Sequence, residues 1–248
     1  MCTVSWIHRD EGYLLLFNRD ELLSRKPASS PRIDNRNGIA FIAPMDGDHG
    51  GSWIAVNQFG LSLGLLNRFD ESKPDVVLNY TSRGLLLFEL IDCASLTTIS
   101  RRLNSASLDR FRPFSLLALG PNEPAMLFHW TGSQKCLQQD ADNLIPIASS
   151  SLNEEDVVQK RKQLFEEMTS ERGKVDPDLL IQFHESHRKE RGPTSVCMHR
   201  ADARTVSMSV INVTKEKIEF DYHPDSPCMP AKKNSIELKR TSPNRGPR

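Results

Sequence analysis

Apolar positions near the start of the chain come in short runs. Residues 3–7 and 13–17 flank a polar turn at 8–12 and predict a β-hairpin. A third strand is expected over 38–43, after a Pro/Ser/Asn-rich stretch at 27–37 that reads as loop. Residues 46–51 hold three glycines and read as a second loop. Runs at 53–56 and 61–66 flank residues 57–60 and predict another hairpin. The period then lengthens. Residues 82–92 and 96–103 suit helices, 115–119 and 125–130 read as strands, and 145–149 suits a short strand. The clearest helix is 153–169, with Asn153 as its cap and Val157, Leu164, Phe165 and Met168 on one stripe. A short helix is expected over 177–187. Final strands are expected at 196–199, 205–213 and 217–222.

This order, strands then helices then strands again, predicts one α+β domain with two antiparallel sheets. A strand–helix alternation with a glycine fingerprint is missing, which argues against a dinucleotide fold. The domain is expected to span 1–225. Past Pro224 there is little to bury, so 226–248 reads as a disordered basic tail.

Composition narrows the class. The 248 residues are 38% hydrophobic and 26% charged, a soluble globular profile. Formal charge is zero, which disfavours a nucleic-acid partner. The zero is a cancellation, because residues 231–248 carry six basic side chains against Glu237 alone. Five scattered cysteines do not form a disulfide framework, and no pair has zinc-site spacing. With no apolar leader and no run of membrane-spanning length, the expected location is cytoplasmic, without integral membrane contact.

Cys2 carries the most distinctive chemistry. Once Met1 is removed, it holds a thiol and an α-amine of pKa roughly 7.7–8 on one residue. A nucleophile with its base beside it is what acyl transfer needs. The competing reading is a small apolar residue that opens an edge strand. Arg19 and Asp20 end the strand expected to pair with that of Cys2. The arginine would favour a thiolate and the aspartate would orient the amine. A salt-bridged strand-end turn is equally open for them. Asn67 ends the 61–66 run, where its amide either donates to an oxyanion or closes a turn.

The initial Met-Cys, the run Asn18-Arg19-Asp20-Glu21, and the segments Gly50-Gly51-Ser52-Trp53 and Gly64-Leu65-Leu66-Asn67 resemble the NRDE family. That family includes the transport and Golgi organization protein 2 relatives. The resemblance covers about residues 1–225. It implies the N-terminal nucleophile hydrolase fold, a four-layer αββα sandwich with helices outside two antiparallel sheets. A more distant similarity leads to the cysteine amidases that cleave bile-salt and penicillin V amides. It implies Cys2 as nucleophile, Arg19 and Asp20 beside it, and Asn67 in the oxyanion region. Those enzymes carry a second asparagine where this chain has Ser149, Ser150 and Ser151. Arg200 matches a late arginine of theirs.

Asn18, His49, Trp53, Ser150, His199 and Arg200 complete the expected substrate-binding set. Cys197 and His199 alternate on one strand and so share a face, but ligands at ordinary spacing to complete a metal site are missing. No metal is therefore expected. His184 and His187 read as surface-helix residues. The leading function is hydrolysis of a non-peptide amide, or a thioester, by an N-terminal cysteine. The alternative is a non-catalytic carrier. The resemblance links relatives to haem mobilisation and acyl-lipid metabolism, so haem is the cofactor of that alternative only. No CxxCH is present.

Overall fold

A computed structural model describes residues 2–69, 80–188 and 190–243. The first sheet has the order β10-β1-β2-β11-β12-β13. Its strands are β1 (Cys2–Arg9), β2 (Gly12–Leu22), β10 (Ile147–Ser149), β11 (Ala203–Val213), β12 (Lys217–His223) and β13 (Asn234–Lys239). The second sheet runs β3-β4-β5-β6-β7-β8-β9. It holds β3 (Ser29–Arg36), β4 (Ile39–Met45), β5 (Ile54–Asn57), β6 (Ser62–Asn67), β7 (Phe114–Leu119), β8 (Met126–Trp130) and β9 (Lys135–Gln138). Every pairing is antiparallel.

Alternation assigns each side chain to a layer. Cys2, Val4, Trp6, Tyr13, Leu15 and Phe17 face the other sheet, where they meet Ile54, Val56, Leu117 and Leu127. Leu14 and Leu16 point the opposite way. They meet Leu164, Phe165 and Met168 of α3 (Glu154–Arg172) and Leu179, Leu180 and Phe183 of α4 (Pro177–Glu185). β2 is thus covered on both faces, which explains its unbroken apolar run. Helices α1 (Gly84–Leu90) and α2 (Leu96–Ser105) cover the second sheet through Leu86, Leu87, Leu90, Ile99 and Leu103. The result is the expected αββα sandwich. Among the described residues no helix is long and apolar enough to cross a membrane.

Four local expectations are corrected. The stretch at 27–37 holds β3, an edge strand with a register shift between Ser29 and Arg32 that accommodates Pro31. Residues 196–199 form no strand. They are an irregular strap whose one bridge joins His199 to Arg204. Asn153 sits in a left-handed conformation and its side chain does not cap α3. The first turn instead carries Glu154, Glu155 and Asp156, which suit the positive end of the helix dipole. The segment read as a disordered tail contains β13, docked on β12 with Ile236 and Leu238 packed against the inter-sheet core.

Candidate active site

The β1–β2 register sets Cys2 directly opposite Arg19, and β10 sets Ser149 on its other flank. The pleat turns Cys2 between the sheets, at the rim of a cavity of about 480 Å³. Arg19, His49, Trp53 and Asn67 also line this cavity, with Asp20 at its edge. Six of the ten residues singled out from sequence therefore meet around one space.

Arg19 is nearly buried and held on three sides. Its Nη2 donates to Asp46 at 2.5 Å and to Glu21 at 3.2 Å, and its guanidinium lies 4.2 Å from the Trp53 ring centre. Arg25 ties the same carboxylates together, reaching Glu21 at 2.9 Å and Asp46 at 2.7 Å. Asp46 also accepts from the Asp48 and His49 backbone N–H groups. It therefore shapes the loop that carries His49 into the wall. Gly51 and Gly84 approach too closely for a side chain: a Cβ on Gly51 would lie 2.6 Å from the Gly84 carbonyl carbon. That contact presses the loop against the start of α1. Trp53 Nε1 and Ser149 Oγ are buried without a hydrogen-bond partner, so each offers an unused polar atom near Cys2.

Asp20 faces the helix layer. One oxygen accepts from both terminal nitrogens of Arg161, at 3.1 and 3.2 Å, and the other accepts from Thr205 Oγ1 at 2.6 Å. Arg161 also donates to Thr3 Oγ1. Asp20 and Arg161 are essentially inaccessible to solvent. On β1's side, the Asp20 backbone lies close enough to the Cys2 sulfur to favour its thiolate form. Burial pushes the Cys2 thiol up and the Asp20 charge adds to this, while the chain's N-terminal charge and Arg19 oppose them. The thiol therefore needs a base to become nucleophilic.

Arg83 and Arg112 stand on the same wall. Burial draws Arg83 down to about 10, and the neighbouring Arg112 charge contributes. Arg83 donates to the Pro113 carbonyl at 2.9 Å. With Arg19 and Arg25 they make four arginines in the lining, beside the carboxylates of Asp20, Glu21 and Asp46.

The remaining expected residues lie elsewhere. Asn18 points to the helix layer, where its amide donates to the His184 and Val196 carbonyls. Ser150 turns away from the cavity and donates to the Leu152 carbonyl. Arg200 pairs with Asp202, and His199 lies beside His187. His184 is a buried residue rather than a surface one, 2.9 Å from Ser5 Oγ. Arg161, Arg25, Asp46 and Arg83 were missed by sequence reasoning. Apart from the charge of Arg25 four residues after Glu21, they carry no local signal.

A buried residue-2 cysteine at the edge of two facing antiparallel sheets, enclosed by helices, is the architecture of the N-terminal nucleophile hydrolases. The chain belongs to the family described as Transport and Golgi organisation 2, whose model matches residues 1–223. Solved structures share the fold. A Cys-to-Ala mutant of the conjugated bile acid hydrolase from Clostridium perfringens aligns over 96% of this chain and 92% of its own, with a TM-score of 0.58 at 11% identity. An Arg-to-Leu variant of that hydrolase aligns over 98% and 99%, with a TM-score of 0.55 at 12% identity. The Caenorhabditis elegans N-acylethanolamine-hydrolyzing acid amidase ortholog aligns over 84% and 92%, with a TM-score of 0.56 at 12% identity. Among curated proteins no sequence match is found.

Proposed function

We propose that the protein hydrolyses a small N-acyl amide that bears an anionic group, using Cys2 as an N-terminal nucleophile. The observation that carries this reading is the placement of Cys2 opposite Arg19 at the rim of an arginine-rich cavity, on a fold shared with a conjugated bile acid hydrolase and an N-acylethanolamine-hydrolyzing acid amidase. Removal of Met1 leaves the α-amine of Cys2 as base. The amine takes the thiol proton as sulfur attacks the carbonyl carbon. The Asp20 backbone beside that sulfur favours the developing thiolate. The Asp20 charge favours the ammonium form that results.

The tetrahedral oxyanion is held by the Asn67 amide, with the unpartnered Ser149 hydroxyl as second donor in place of the amidase asparagine. The ammonium returns its proton to the leaving nitrogen as the C–N bond breaks. Water then cleaves the thioester and restores the thiol. Arg83 supplies the reason for an anionic substrate. Burial disfavours its charge, and a carboxylate or sulfonate beside it would favour the charged form.

The test is a hydrolysis screen over acyl-amino acids, acyl taurines, neutral acyl amides and thioesters. Activity is expected on the anionic amides, with at least a 10³-fold loss in Cys2→Ala by the scale of nucleophile removals. Arg83→Gln should raise KM for anionic substrates far more than for neutral ones. Equal turnover by Cys2→Ala would remove Cys2 from the mechanism.

A further inference from the structure

A second cluster lies on the helix side of the first sheet, apart from the cavity. His187, Cys197, His199 and Cys228 each turn one ligand atom inward, and all four atoms lie within 4.8 Å of one another. His187 Nε2 is 3.0 Å from His199 Nε2. The sulfurs of Cys197 and Cys228 are each 3.5 Å from that same His199 nitrogen. Both cysteines are free thiols.

The three separations from His199 Nε2 are close to the edges of a tetrahedron around one ion. Zinc–nitrogen bonds of about 2.0–2.1 Å and zinc–sulfur bonds of about 2.3 Å place nitrogens roughly 3.3 Å apart, and nitrogen and sulfur roughly 3.6 Å apart. Two imidazole Nε2 atoms facing each other, with two sulfurs alongside, crowd lone pairs onto one point. A cation there satisfies all four. Two soft sulfurs, two imidazoles and no carboxylate select zinc over calcium or magnesium.

The backbone around the ligands is already fixed. Cys197 N–H donates to the Ser186 carbonyl at 3.1 Å, and His199 N–H to the Gly192 carbonyl at 3.1 Å. Met198 and Thr205 exchange bonds, with Met198 N–H donating to Thr205 Oγ1 at 2.8 Å and Thr205 N–H to the Met198 carbonyl at 2.9 Å. Ser226 Oγ donates to the Thr205 carbonyl at 2.6 Å, which anchors the turn that carries Cys228.

We propose that His187, Cys197, His199 and Cys228 form a closed Cys2His2 site for one Zn²⁺, which clips the backbone at His187 and at 196–199 to the turn after β12. Four protein ligands leave no open position, so the ion is structural and not catalytic. On binding, two thiols lose their protons to solvent and four metal–ligand bonds form, with no change of oxidation state. One divalent cation, two thiolates and two neutral imidazoles sum to zero charge. That suits a site with Arg204 close by and Arg191 Nη2 3.4 Å from His199 Nδ1. With Nε2 on the metal, His199 Nδ1 carries the ring proton and the exposed Arg191 side chain turns to solvent.

Thr205 lies between this clip and the Asp20 carboxylate. The ion therefore braces the strand end next to Cys2 from the far side. The site stands independently of any hydrolase activity.

The full chain, purified with reductant and freed of metal by chelation, is titrated with zinc chloride and separately with cobalt chloride. One zinc per chain is expected by native mass spectrometry, at the mass of one zinc less two protons. Cobalt should give the visible bands of a tetrahedral ion and a thiolate charge-transfer band. Cys228→Ser and His199→Asn should each lose these signals, while Cys136→Ser, at an exposed cysteine outside the cluster, keeps them. The wild-type cobalt spectrum decides the matter even if a variant fails to fold. No stoichiometric metal, a cobalt spectrum unchanged in Cys228→Ser, or a Cys197–Cys228 disulfide in the metal-free reduced protein would each overturn the proposal.

Discussion

Asp20 shows how much one side chain near residue 2 carries. It is a fully buried carboxylate with its charge matched by Arg161 and its other oxygen taken by Thr205. Replacing Arg161 by methionine keeps the volume and leaves an unpaired buried anion, which costs about 3–5 kcal/mol. Urea unfolding of Arg161→Met should show that loss, and the double variant Arg161→Met/Asp20→Asn should recover part of it. A loss below about 1 kcal/mol in the single variant would mean that the pair does not hold β2 to α3. Cys2, Arg19 and Asp20 were legible in the sequence because a hairpin register brings residues at the two strand ends together. Arg161 was not, because an arginine on a helix of Glu and Lys reads as solvated. Its burial comes from a contact 141 positions away in the chain. The zinc candidates failed for a related reason. Cys197 and His199 are two residues apart, but Cys228 comes from a turn 29 positions beyond His199 and His187 from the segment just past α4.

The elements most readable from sequence were those with an apolar face. The hairpins of both sheets and α3 appear within a few residues of their expected places, since burial imposes period two or 3.6. Three of the four edge strands, β3, β9 and β13, escaped notice, while β10 was expected. β3 is largely exposed and holds a proline, and β13 alternates half-buried with exposed positions within a basic segment. β13 nonetheless contributes Ile236 and Leu238 to the core and covers the open edge of β12. Two half-buried aliphatic side chains are worth about 1.5–3 kcal/mol together. A chain ending at residue 230, which keeps Cys228, should remain folded but melt several degrees lower by circular dichroism. An unchanged melting temperature would mean that β13 is not docked in solution.

For the molecule as a whole, the buried His184 and the half-buried His129 shape the response to acid. Burial, with the Arg161 charge nearby, lowers His184 to about 3, and burial with Arg68 lowers His129 to about 4. Both are neutral in the folded chain at pH values where the unfolded chain, with histidine near 6.5, takes up protons. Stability is therefore level above about pH 6.5 and declines as pH falls from there towards the folded values. Urea midpoints between about pH 7.5 and 4.5 should show this slope, and His184→Gln should flatten it. A slope identical in the variant would assign the acid sensitivity elsewhere.

The sandwich as a whole brings a cysteine at position 2 to the rim of an arginine-rich cavity, and the proposed chemistry rests on that residue. Its most direct measurement is the mass of the intact protein, quenched with acid during turnover of an anionic acyl amide or the matching thioester and followed by peptide mapping. The account predicts a chain that begins at Cys2 and carries one acyl group on that residue, absent from Cys2→Ala. A retained Met1 in active protein, or an acyl group on any other cysteine, would contradict it.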